Sequence, residues 1–266
     1  MPASFVRRLS SILGAVALTL LLVGGLRLAL GAPEPRFAGP GASPSPTTTA
    51  SPTPSDEGFD WLVGTAAADT VVAYAERDTE SEVVGEFPRV NEQGAEQTFL
   101  LLVEERGPDG SIPEGLGWVE ALLPVRPNGT TGYLRTDDLS IQGTDYRIFV
   151  DREEFSLTVF DGDEVVMETE VGIGTGETPT PVGLFYLTSL LQPPTNNTVY
   201  GSYAYGLSGF SETLIDWEDG GIIGLHGTND PTSVGRQVSH GCIRMRNEDI
   251  EQLVPMLPLG TPIEIV

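Results

Sequence analysis

Ser239-His240-Gly241-Cys242-Ile243-Arg244-Met245 is the stretch on which the reading of this 266-residue chain turns. It holds the only cysteine and one of the two histidines. The other, His226, stands in Leu225-His226-Gly227-Thr228, with fifteen residues between it and Cys242. Three such rare residues seldom fall together by chance. A thiol beside an imidazole is the minimum for nucleophilic catalysis: the thiolate attacks, and a neighbouring base generates it near neutral pH. A cysteine taken alone is more often a small buried hydrophobe, and a histidine a satisfied polar residue. The clustering of all three favours the reactive reading.

Working outward, the N-terminus gives an address. Arg7 and Arg8 precede an uncharged run from Leu9 to Leu26, the pattern of an export signal. As a helix that run spans ~27 Å, just short of a ~30 Å hydrocarbon layer. Residues 1–31 therefore read as a signal peptide or an N-terminal membrane anchor. The arginines ahead of the run predict that the remainder is translocated. Residues 32–58, rich in Pro, Ser, Thr, Gly and Ala, cannot bury a core and read as a disordered, solvated linker.

All 14 basic residues are arginine, against 38 acidic ones, for a net charge of −24. That balance argues against nucleic acid as a partner, because phosphate neutralisation supplies most of such affinity. The absence of lysine removes a catalytic amine or a Ser–Lys dyad. One cysteine in an exported chain can form no internal disulfide. One Cys and two His make no convincing zinc site, so no metal is expected.

Residues 59–142 read as a small all-β, barrel-like domain. Thr70–Tyr74, Thr98–Val103, Trp118–Leu123 and Gly132–Leu134 are strand-like, with turns at Gly107–Gly110 and Pro127–Thr130. The pattern resembles the Src-homology-type barrels that precede catalytic domains in bacterial wall proteins. Its expected roles are a spacer, a wall-contacting module or a lid. Residues 145–266 continue in strands: Tyr146–Val150, Ser156–Phe160 and Glu164–Met167 around an Asp161-Gly162 turn, and a closing Thr261–Val266. One short helix is signalled by Ile250, Leu253 and Val254 on one face, with Asn247 as its expected cap. The fold class is thus mainly β with one short helix.

In this order the pieces resemble the catalytic domain of the L,D-transpeptidases, the YkuD-type enzymes that cross-link bacterial peptidoglycan. The motifs are Val171-Gly172-Ile173-Gly174, Thr178-Pro179-Thr180-Pro181-Val182-Gly183-Leu184-Phe185, His226-Gly227-Thr228 and the Ser239–Met245 stretch ending in Asn247. The resemblance implies a β-sandwich or barrel catalytic domain. It also implies Cys242 as nucleophile, His226 as general base and His240 in support. Ser239 and His240 would orient His226 or contact substrate, and the Gly241 and Cys242 N–H groups could stabilise an oxyanion. Tyr203, in the Tyr- and Gly-rich stretch Tyr200–Gly206, stands near a family substrate flap and is equally suited to packing. Many members carry Asn where this chain has Arg244, which puts fine substrate contacts in doubt. Arg244 or Arg246 could hold a substrate carboxylate or pair with Glu248 or Asp249.

The implied partners are peptidoglycan stem peptides and, as inhibitors, carbapenem-type β-lactams, with no cofactor. The implied place is the cell envelope. The alternatives are an L,D-carboxypeptidase using the same thiol and a non-catalytic wall-binding module; a sortase-like order of residues fits less well.

Overall fold

The first half of the described chain is built of seven short strands: β1 (Trp61–Ala66), β2 (Thr70–Tyr74), β3 (Val83–Pro88), β4 (Thr98–Leu101), β5 (Trp118–Leu122), β6 (Thr131–Arg135) and β7 (Leu139–Thr144). This is a computed structural model describing residues 60–103, 115–216 and 218–266, all within one unit, Ser51–Val266. The expected export segment 1–31, the linker 32–58 and the Gly107–Gly110 turn lie outside the described residues. The strands form one sheet in the order β3-β2-β6-β5-β4-β1-β7. Period-two alternation turns Val71, Ala73, Val119, Ala121 and Leu134 inward, where they meet Phe99 and Leu101. The Pro127–Thr130 turn is present: Thr130 N–H donates to Pro127 O at 3.3 Å, and Gly129 takes φ +82°.

The second half contributes β8 (Tyr146–Asp151), β9 (Ser156–Asp161), β10 (Glu164–Glu170), β11 (Ile173–Gly174), β12 (Gly183–Leu191), β13 (Ala204–Phe210), β14 (Ile222–His226), β15 (Gln237–Ser239), β16 (Ile243–Arg244) and β17 (Pro262–Ile265). Eight of them form a sheet in the order β10-β9-β8-β17-β12-β13-β14-β16, while β11 pairs with β15. Register aligns the core: Val159 faces Ile148, Ile148 faces Ile263, and Ile263 faces Phe185. Pro262 is tolerated in a central strand because it is the first residue of β17. Among the described residues the one α-helix is α1 (Asn247–Leu253), which lays Ile250 and Leu253 on this core. Its N-cap is Arg246 rather than the expected Asn247, whose side chain is used elsewhere.

The run Leu184-Phe185-Tyr186-Leu187 is apolar throughout because β12 is covered on both faces. Phe185 and Leu187 enter the second sheet's core, while Leu184 and Tyr186 meet Leu100, Leu122 and Trp61 of the first sheet. Polar clamps flank that contact. Asn128 exchanges two hydrogen bonds with the Phe210 backbone (2.8 and 2.9 Å), and Asn91 Nδ2 donates to Thr188 O at 3.0 Å. The Arg126 guanidinium donates to Ser211 O and Gly220 O, both at 2.8 Å, and lies 4.9 Å from the Phe210 ring centroid. Arg126→Ala is therefore expected to lower stability by about 1–3 kcal/mol, the range for bonds to a charged donor. A shift of the denaturant midpoint at constant slope would report it, and an unmoved midpoint would refute it.

Candidate active site

Strand pairing brings the rare residues together. β14 and β16 run parallel with Leu225 opposite Ile243 and His226 opposite Arg244. Leu225 and Ile243 are fully buried in the core, so alternation puts Gly224, His226 and Arg244 on the opposite face. Cys242, immediately before β16, belongs to that face too. Its half-buried thiol accepts a hydrogen bond from Gly224 N–H at 3.3 Å. A methyl group placed on Gly224 would lie 3.7 Å from Cys242 Sγ and 3.5 Å from His226 Cδ2. Thiol and ring therefore both border the space over this glycine.

The imidazole's tautomer follows from its other partner. His226 Nδ1 contacts Gly227 O, and a carbonyl can only accept, so Nδ1 carries the proton and Nε2 keeps its lone pair. The ring is only 3% exposed. Burial, with a smaller contribution from the Arg244 charge, pulls its pKa down to about 4 against the raising effect of the Gly227 bond. Burial likewise pushes the Cys242 thiol up, opposed by the Gly224 bond and by Arg244. At neutral pH both groups therefore rest uncharged, a neutral thiol and a neutral imidazole. Tyr200 covers the ring edge-on, with centroids 5.2 Å apart.

Cys242 sits on a turn held from several sides. Ser239 Oγ donates to Cys242 O at 2.6 Å and accepts from Gly241 N–H at 3.1 Å. Thr180 Oγ1 donates to Gly241 O at 2.8 Å and accepts from Gly174 N–H at 2.9 Å. The proline-containing motif thereby buttresses the cysteine turn. Gly241 takes φ +118°, and a Cβ there would stand 2.9 Å from Ile223 Cδ1. We expect Gly241→Ala to cost about 1–3 kcal/mol of stability and to reduce turnover at least about tenfold by displacing the thiol. Denaturation and steady-state rates measure both, and wild-type values of each would contradict the assignment.

The sequence expectations divide. The fold brings Cys242 and His226 to the same face, on either side of the space over Gly224. His240 is exposed. Ser239 is buried and orients the cysteine turn rather than His226, so any effect on substrate is indirect. The Gly241 N–H is committed to Ser239 Oγ, which corrects its expected part in an oxyanion hole. Tyr203 packs against the core, its hydroxyl accepting from Gln192 Nε2 at 3.1 Å. Arg246, not Arg244, forms the ion pairs, 2.7 Å from Glu170 and 4.0 Å from Asp249.

Gly224, which touches the thiol, carries no sequence signal for its place, while Tyr200 and Asn247 stand in the sequence only as part of a Tyr- and Gly-rich stretch and as an expected helix cap. Tyr200 packs edge-on against the His226 ring. Asn247 Oδ1 accepts from Ser202 N–H and Thr228 N–H, both at 3.1 Å, joining the Tyr200 turn to the histidine loop. Among the described residues no cluster of His, Cys, Asp and Glu is arranged to hold a metal ion.

Residues 145–265 match the family model of the L,D-transpeptidase catalytic domain. YkuD of Bacillus subtilis strain 168, assigned by name to the L,D-transpeptidases, is 31% identical over 151 residues, covering 54% of this chain and 84% of that protein. Its namesake in Bacillus licheniformis is 33% identical over 120 residues, covering 45% of this chain and 65% of that protein. A crystal structure of an Enterococcus faecium L,D-transpeptidase aligns with a TM-score of 0.35 and 26% identity, over 48% of this chain and 56% of that one. The chain belongs to the L,D-transpeptidase family.

Proposed function

We propose that the chain is an extracytoplasmic, thiol-dependent L,D-transpeptidase that takes a peptidoglycan stem tetrapeptide as donor. The observation that supports this reading is that Cys242 Sγ and the His226 ring both border the space over Gly224, with His226 Nδ1 held by Gly227 O so that Nε2 keeps its lone pair. In the first half-reaction His226 Nε2 takes the thiol proton as Sγ bonds to the carbonyl carbon of the third stem residue. The carbonyl oxygen becomes an oxyanion, for which the Cys242 N–H is the turn's remaining donor. The C–N bond then breaks, and the proton passes from His226 to the departing amine of D-alanine. In the second half-reaction the side-chain amine of a neighbouring stem attacks the thioester carbonyl and gives its proton to His226; the C–S bond then breaks, and the proton passes from His226 to Sγ to restore the thiol.

Export through residues 1–31 would place this chemistry at the substrate, with 32–58 as the spacer from the membrane. A carbapenem-type β-lactam would acylate the same thiol. Incubating the purified protein with disaccharide-tetrapeptide, followed by mass spectrometry of the products, tests the reading. A cross-linked dimer plus free D-alanine supports it. Tripeptide alone would assign an L,D-carboxypeptidase, in which water resolves the thioester, and unaltered substrate would leave only a wall-binding role.

A further inference from the structure

Arg244 is the charged group at this site that the acyl transfer above does not use. Its neighbour Arg246 is satisfied by Glu170 and Asp249. Among the described residues the Arg244 side chain has neither an ion pair nor a hydrogen bond, and its Nε is fully buried without an acceptor. Asp230 lies within range of its charge but spends Oδ1 on Thr232 N–H and Thr232 Oγ1. Buried donors in native folds are almost always paired, and an ionised one left alone is the costlier exception. A buried, unpartnered Nε on a half-exposed guanidinium, on the same sheet face as Cys242 and opposite His226 in the strand register, implies an acceptor that arrives with the substrate.

We propose that Arg244 binds the free α-carboxylate of the donor's terminal residue, so that the site selects stems ending one residue beyond the scissile bond. The inference rests on the acyl-transfer reading above and specifies which donor that reaction takes. Two residues of extended chain separate the nucleophile from Arg244, ~7 Å between Cα atoms. The carboxylate of the leaving residue is three bonds from the attacked carbonyl carbon, a separation that an arginine side chain rooted there can bridge. A planar guanidinium fork matches a carboxylate with two parallel bonds. Neighbouring arginines do not compete: Arg246 is occupied by Glu170, and Arg236, between the two histidines, is exposed.

Selection would also be coupled to the chemistry. After burial, the Arg244 charge is one of the influences that disfavour a proton on His226. A donor carboxylate neutralises that charge at the moment the imidazole must accept the thiol proton. A donor lacking the carboxylate would be bound less well and activated less well.

The test uses the full-length protein and two synthetic donors, a stem tetrapeptide ending in D-alanine and the same peptide ending in D-alaninamide. For the wild type, kcat/KM for the acid is expected to exceed that for the amide by about 100-fold. Arg244→Gln should collapse the acid-to-amide ratio of kcat/KM from about 100 to within about threefold of one, whatever it does to both rates in common. Equal use of both donors by the wild type overturns the inference without any variant, while leaving the transpeptidase reading intact. A parallel loss on both donors in Arg244→Gln also overturns it, because Arg244 would then act only on the thiol and base. Wild-type inactivity toward both donors, with no D-alanine released from the acid, would overturn the transpeptidase reading itself.

Discussion

Cys242→Ala is expected to abolish release of D-alanine from a stem tetrapeptide, a loss of about 10⁴-fold or more, with the fold retained. No other residue can substitute for it: this is the only thiol, and the chain holds no lysine. Ser239, the nearest hydroxyl, is 2% exposed and bonded to Cys242 O and Gly241 N–H, so it cannot take over the attack. The thiol is half-buried and makes one hydrogen bond, so its removal should move the denaturant midpoint little. D-alanine release by coupled assay and the midpoint together check this. Substantial release by the alanine variant would mean another residue attacks.

His226→Gln should reduce turnover by about 10³-fold, within the range for loss of a positioned base. The thiol is pushed up by burial, so without the imidazole little nucleophile forms near neutral pH. The same residue sets an acid limit. Its pKa of about 4 in the folded chain lies below the ordinary 6.5, so between those values the unfolded chain binds the extra proton. Stability is therefore full above about pH 6.5 and falls as the pH drops through 4, by roughly 3 kcal/mol if no other group intervenes. His226→Gln should flatten that part of the stability profile, and denaturant midpoints from pH 4 to 7 would show it. In the wild type the acid limb of kcat/KM should lie below pH 5. A limb at pH 6–7 would mean that the imidazole is not held neutral by burial.

What could be read from the sequence was local. The Asp161-Gly162 turn, the alternation in β8 and β9, and the closing strand β17 all have short-range signals, and all appear in the structure. The cysteine and histidines were found through rarity and spacing. Contacts between distant segments were not legible. Asn247 looked like a helix cap because its partners, Ser202 and Thr228, lie 45 and 19 residues away. Arg244 and Arg246 were equivalent in the sequence until Glu170, 76 residues before Arg246, proved to engage only the latter. Gly224 carries no side chain to signal its place beneath the thiol. The Gly241 N–H seemed available because only the folded turn brings Ser239 Oγ onto it.

In the proposed reaction Cys242 carries the acyl group, which intact-protein mass spectrometry after brief mixing with stem tetrapeptide can capture. The predicted result is an adduct with the mass of the stem tripeptide acyl group, located on Cys242, removed by hydroxylamine and absent from Cys242→Ala. D-alanine release with no adduct at any mixing time, or an adduct that persists in Cys242→Ala, would contradict it.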